Sequence, residues 1–252
     1  MNQIKKDPSV VPEGRASAQG SSVQPTTVSS GPKTQNLTVV YNCNGNAFND
    51  SAPSDSHGAI GRQGYVEVTN TTIGIYSRTS CTKLGGATLN AFLLVPAGQS
   101  AFDPRAVYDK AKDRYIVTAE TSGSGNDQYQ IYAISKTANP NGAYWVYQFA
   151  LSQGTSVFCK NVASDFWDYP QLGFNRNSVF STANVFGSNF GAILSINKDA
   201  MLVGGSTTAT CFKNLAFNIA PPINRSAKGN IAYFVSPGSG SGSNLTKYTV
   251  NT

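Results

Sequence analysis

From Leu37 onward the apolar residues fall in short runs, separated by Gly, Pro, Asn and Ser. Leu37-Thr38-Val39-Val40-Tyr41 is the first, and each run reads as a β-strand because β-branched and aromatic side chains suit a pleated surface. No stretch returns apolar residues at every third or fourth position, so no amphipathic helix is predicted. The longest apolar run, Ala91 to Pro96, is far too short to cross a bilayer. Residues 1 to about 35 contain almost no large apolar side chains and read as a disordered leader.

The strands repeat. One set reads Tyr65-Val66-Glu67-Val68, Tyr115-Ile116-Val117-Thr118, Phe180-Ser181-Thr182-Ala183 and Tyr233-Phe234-Val235-Ser236. A second follows each: Ile75-Tyr76-Ser77-Arg78, Ala133-Ile134-Ser135-Lys136, Ser195-Ile196-Asn197-Lys198 and Thr246-Lys247-Tyr248-Thr249. A preceding element recurs as Phe102-Asp103-Pro104-Arg105 and Trp167-Asp168-Tyr169-Pro170, more faintly as Ala220-Pro221-Pro222. Small multi-strand units repeated at intervals of ~40–50 residues or more are the signature of β-propeller blades, each too thin to be stable without its neighbours. The predicted fold is therefore an all-β propeller of about four recognisable blades over residues 36–252, with units near 58–98, 100–152, 165–215 and 218–252. The four form either a closed ring, which Leu37–Tyr41 completes by pairing with the last blade, or part of a larger propeller. Within one unit, Asn139-Pro140-Asn141-Gly142 carries Pro and Gly where a type I turn wants them. It predicts a hairpin joining 131–135 to 144–149.

Several of these segments resemble a known group. Gly58-Ala59-Ile60-Gly61 before Tyr65-Val66-Glu67-Val68, Asp103-Pro104-Arg105-Ala106-Val107-Tyr108-Asp109, and Asp168-Tyr169-Pro170-Gln171-Leu172-Gly173 are similar to motifs of uncharacterised exported bacterial β-propeller proteins, which sit loosely near the sialidase-like propellers. Members of that group are generally longer, which favours the larger-propeller reading. No catalytic residues come with the resemblance. Gly142-Ala143-Tyr144-Trp145 matches the second half of a sialidase Asp-box, but Ala138 and Pro140 stand where Ser and Asp belong.

Composition sharpens the compartment. Charged residues are 13% of the chain, and four cysteines, an even number, suit two disulfides. Cys43–Cys81 and Cys159–Cys211 are the favoured pairs, the second because Cys159-Lys160-Asn161 and Cys211-Phe212-Lys213-Asn214 share a context suited to neighbouring strands. No C-x-x-C occurs and His57 is the only histidine, which argues against zinc. A secreted, periplasmic or cell-surface protein is expected, although Met1 to Lys33 shows no apolar signal segment. The net charge of +6 is spread singly, so nucleic acid is not the expected partner, while anionic polymers such as acidic glycans stay open. A closed ring would be a monomer.

Candidate chemistry lies in the repeated element. Asp103 and Asp168 precede the strand assigned to the inside of each unit, where two carboxylates could hold a cation such as Ca²⁺; alternatively each caps its own turn. Phe166, Trp167 and Tyr169, with Arg105, make the best ligand-facing patch, offering aromatic faces and a guanidinium to a sugar. Glu67 and Glu120 could pair with Asp103 or Asp168 as a glycosidase requires, though any propeller offers such pairs by chance. Asp55-Ser56-His57 is too compact for triad geometry. The favoured function is a binding module for a glycan or an extracellular protein; the alternative is a sialidase-like glycoside hydrolase or lyase acting through carboxylates near the channel.

Overall fold

The computed structural model describes residues 4–10, 42–47, 52–225, 229–237 and 244–252. Among these described residues sixteen strands form four sheets. The first holds β2 (His57–Ile60), β3 (Tyr65–Val68), β4 (Thr72–Tyr76) and β5 (Lys83–Thr88). The second holds β6 (Gln99–Asp109), β7 (Arg114–Gly123), β8 (Gln128–Ser135), β9 (Tyr144–Gln153) and β10 (Ser156–Val157). The third holds β11 (Phe166–Phe174), β12 (Ser178–Phe186), β13 (Phe190–Asn197) and β14 (Ala209–Leu215). The fourth holds β15 (Ile231–Pro237), β16 (Leu245–Asn251) and, at its outer edge, β1 (Ile4–Val10). Every pairing between these strands is antiparallel, and sheets one to three each follow chain order. Two single-turn helices, α1 (Leu89–Phe92) and α2 (Lys198–Leu202), are too short to have left a helical period in the sequence.

Consecutive sheets pack face to face. Because side chains alternate along a strand, Ile116 and Val117 leave β7 on opposite sides. Val117, Ala119, Ile131 and Ala133 meet Val66, Val68, Ile73 and Ile75 of the first sheet. Ile116, Tyr132 and Ile134 meet Trp167, Val179, Leu194 and Ile196 of the third. On the far side of the third sheet, Phe180 and Ile193 meet Phe234, Tyr248 and Val250. Full burial of each such side chain contributes about 1.5–3 kcal/mol. The cores therefore lie between sheets, as expected for blades that stabilise one another.

The inner strands β2, β6 and β11 lie side by side. The fourth blade's inner position is taken by residues 219–225: Ala220 exchanges backbone hydrogen bonds with Val235, and Ile223 bridges Phe174. Gly173 permits this approach, since a Cβ there would run into Pro221 and the Pro222 carbonyl. The chain is thus an all-β propeller arc of four blades. Among the described residues only one face of the last blade is covered: β15 turns Ile231, Tyr233 and Val235 outward, and no buried apolar cluster joins the fourth sheet to the first. Within the segment expected as a leader, residues 4–10 pair along β16. Leu37–Tyr41, expected to pair with the last blade, lies outside the described residues.

Two disulfides staple the arc. Cys43–Cys81 ties residues 42–47 to the loop after β4, and Cys159–Cys211 ties the segment after β10 to β14. These are the pairs favoured by the sequence, and they fit an oxidising compartment. No described helix is long and apolar enough to cross a membrane. Blades two and three are also joined by a buried ion pair. Lys198 of α2 and Asp109 at the end of β6 are each 1% exposed with N···O 2.6 Å, and the lysine also donates to the Asn175 carbonyl.

Candidate cation centre and adjoining cleft

Two inner strands carry the same bulge. In β6 the register slips between Phe102 and Arg105, and in β11 between Asp168 and Gln171. Each bulge contains a proline, Pro104 or Pro170, which has no N–H to offer a ladder. The residue before each proline is left-handed, Asp103 at φ 48° and Tyr169 at φ 57°. Aspartate tolerates that region; for a tyrosine it costs on the order of 1–3 kcal/mol. The Asp168 carboxylate supports the strained residue by accepting the Tyr169 N–H at 2.8 Å. The bulges place Asp103 and Tyr169 at equivalent positions, so the two aspartates are offset by one residue along their strands.

That offset, with the twist between blades, brings three acids together. Oxygens of Asp103, Glu120 and Asp168 lie within 4.8 Å of one another. Glu120 is fully buried on β7, opposite Phe102, and among the described residues neither of its carboxylate oxygens has a hydrogen-bond partner. Burial, then the Asp168 and Asp103 charges, push its pKa well up. Asp103 is pushed to about 6, chiefly by desolvation and the neighbouring Asp55, with Arg105 opposing. Asn70 fixes this corner, its side chain accepting the Asp103 N–H at 2.7 Å and donating to Asp55 at 2.6 Å.

Around the acids lie most of the residues expected to face a ligand. Tyr169 is 52% exposed, with the Arg105 guanidinium 5.9 Å from its ring centre. Phe166 is exposed and stacks parallel to Phe102 at 6.1 Å. Trp167 does not join them. It is fully buried between blades two and three, where its indole N–H donates to Gln130 at 2.9 Å. The period of two explains the split: Phe166 and Asp168 share one side of β11 and Trp167 takes the other. Beside Tyr169 opens a cleft of about 460 Å³ walled by Gln171, Thr182, Asn184 and Asn218. The Gln171 side-chain nitrogen is buried there without a partner among the described residues.

Glu120 entered the sequence reading only as one member of chance carboxylate pairs. Its signal was available: it sits in β7 among residues buried from Tyr115 to Thr121, where an acid needs a reason to be. Glu67 is elsewhere, accepting the Asn46 N–H at 2.6 Å. His57 accepts the Ala106 N–H through Nδ1, and burial followed by the Arg105 charge lowers its pKa.

No protein-family model matches this chain, and no curated protein matches it. Among solved structures it is similar to a GH43 β-1,3-galactosidase bound to galactodeoxynojirimycin, at 10% identity and TM-score 0.43, over 74% of this chain and 68% of that one. It is also similar to an exo-β-1,3-galactanase from Phanerochaete chrysosporium bound to galactose, at 8% identity and TM-score 0.41, over 72% of this chain and 42% of that one. A second GH43 β-1,3-galactosidase aligns at 13% identity and TM-score 0.39, over 74% of this chain and 41% of that one.

Proposed function

We propose that this protein is an exported, non-catalytic propeller that binds a glycan in the cleft beside Tyr169, with a Ca²⁺ ion held next to it by Asp103, Glu120 and Asp168. One observation carries the reading: near the Asp168–Gln171 bulge two polar groups, the Glu120 carboxylate and the Gln171 side-chain nitrogen, are buried without a hydrogen-bond partner among the described residues. A buried carboxylate without hydrogen bonds costs several kcal/mol unless it is neutralised. Ca²⁺ takes 6–8 oxygen ligands, and three carboxylates supply up to six. The cleft's polar side chains are amides and a hydroxyl beside the apolar Ala183, Ile219 and Ala220, with an exposed tyrosine at the lip, which suits sugar hydroxyls and a sugar's apolar face. An extracellular protein is the second class of partner for the same surface.

The hydrolase reading has one observation in its favour, the elevated pKa of Asp103, which suits a general acid near neutral pH. Against it, glycosidase carboxyls stand about 5–9 Å apart with sugar between them. Here an oxygen of each acid lies within 4.8 Å of the other two, which leaves no room for the intervening water of an inverting enzyme, and Glu120 has no exposed surface to meet a substrate.

Thermal melting with EDTA and with graded Ca²⁺ tests the ion. At a hundredfold excess over Kd the ion adds about 2.7 kcal/mol, roughly 5–11 °C for a chain this size, and Glu120→Gln should erase the shift. An unchanged midpoint at every concentration removes the ion from the account. Glycan-array binding that disappears in Tyr169→Ala and Gln171→Ala supports the cleft. Reducing sugar released by the wild type but not by folded Asp168→Ala would instead establish the hydrolase.

A further inference from the structure

The other half of β6 faces a different environment. Asp103 lies in the strand's first half, while Ala106, Val107 and Tyr108 lie in its second, roughly 10–17 Å further on at about 3.3 Å per residue. There a second cleft of about 460 Å³ opens between β2, β6 and the inner segment of the fourth blade. Four cations line it: Arg62, Arg78, Lys110 and Arg225. All four are exposed, none makes an ion pair among the described residues, and no Asp or Glu lines the cleft. Of the nearby acids, Asp109 is paired with buried Lys198, and Asp113 accepts the Tyr108 hydroxyl and does not itself line the cleft.

The cations come from three blades, and the loop carrying Arg78 is held in place. Cys81 in that loop is bonded to Cys43, and the Ser77 N–H donates to the Thr82 carbonyl at 2.9 Å. Guanidinium groups displayed on a fixed frame suit planar anions, which they bind through paired N–H donors. Four like charges against few acids also repel one another, a cost that an anionic ligand reduces.

We infer that this basic cleft is a second binding site, for an acidic oligosaccharide recognised through its carboxylate or sulfate groups. The inference does not rest on the Ca²⁺ site or on the Tyr169 cleft. The size fits one or two sugar residues. Nucleic acid fits less well, because the aromatic rings lining the cleft among the described residues are those of Tyr108, which leans on Tyr115, and His57, which is held by the Ala106 N–H, leaving little stacking surface for bases. The two disulfides fit an oxidising compartment, where acidic glycans are met.

The test is fluorescence anisotropy with four labelled probes: a hexameric oligogalacturonate, a sulfated heparin hexasaccharide, a neutral hexasaccharide and single-stranded DNA of equal charge. Wild type should bind one or both acidic sugars and not the neutral one, with affinity falling as salt rises. Arg62→Ala/Arg78→Ala should weaken that binding by about a hundredfold, each lost charged hydrogen bond being worth tenfold or more. Arg225→Glu should weaken it comparably, and Lys136→Ala, which removes an ammonium that lies over the Trp145 ring and does not line the cleft, should leave it unchanged. The two sugar probes separate carboxylate from sulfate. No binding by either, equal or tighter binding of DNA, or equal weakening by Lys136→Ala overturns the inference.

Discussion

Removing one member of the Asp109–Lys198 pair should cost far more than removing both. Asp109→Ala leaves the Lys198 ammonium 1% exposed with the Asn175 carbonyl as its remaining partner. A buried charge stripped of its counterion costs about 3–5 kcal/mol. At roughly 2–4 °C per kcal/mol that is a fall in Tm of about 6–20 °C. The double variant Asp109→Ala/Lys198→Met buries no charge, and a methionine can lie against the Phe174 ring that the lysine head now approaches at 5.1 Å. What remains lost is the cap that Asp109 gives the Ala111 and Lys112 N–H groups, at 3.0 and 3.2 Å, worth about 1 kcal/mol each. The double variant should therefore recover about a third to three fifths of the loss. Urea denaturation followed by the fluorescence of buried Trp167 gives both numbers, since that indole lies in the core between the same two blades. A double variant as unstable as Asp109→Ala would refute the reasoning, as would a single-variant loss below 1 kcal/mol.

Gly173→Ala should lower the urea midpoint and loosen the fourth blade, because the new methyl meets the Pro222 carbonyl; hydrogen exchange at Asn224, whose N–H donates to the Phe174 carbonyl at 2.8 Å, should rise first. Cys159→Ser/Cys211→Ser opens a loop spanning 52 residues and should cost about 4 kcal/mol, or roughly 8–16 °C, in a thermal melt. Lys160 is 2% exposed, and burial lowers its pKa to about 8 against the pull of Asp165, Glu120 and Asp127. Since its folded pKa lies below the unfolded value, its contribution to stability rises between about pH 8 and pH 10 and is flat below that window. Lys160→Met should abolish that part of the rise in a series of urea midpoints.

Much of the architecture was legible because it is local. Strand alternation and the Asn139–Gly142 turn each lie within a few neighbouring residues, and the turn closes as expected with Gly142 N–H donating to the Asn139 carbonyl at 3.1 Å. Register was not legible. Similar composition aligned Asp103 with Asp168, but the bulges make Asp103 the counterpart of Tyr169, and only the fold shows that the shifted acids converge. Trp167 looked like a ligand platform by residue type alone, whereas alternation from Phe166 puts it in the core. The basic cleft is the clearest case of long-range information. Residues 62, 78, 110 and 225 are dispersed along the chain, and three blades must assemble before their charges share one space.

The ion at the acid cluster is reached most directly by isothermal titration of Ca²⁺ into EDTA-treated, dialysed protein, wild type beside Glu120→Gln and Asp168→Asn. The account predicts one ion per wild-type chain, and no measurable heat in either variant while their circular dichroism stays that of the wild type. Wild-type protein that takes up no Ca²⁺ at millimolar concentration would contradict it, as would a Glu120→Gln variant that binds as tightly as the parent.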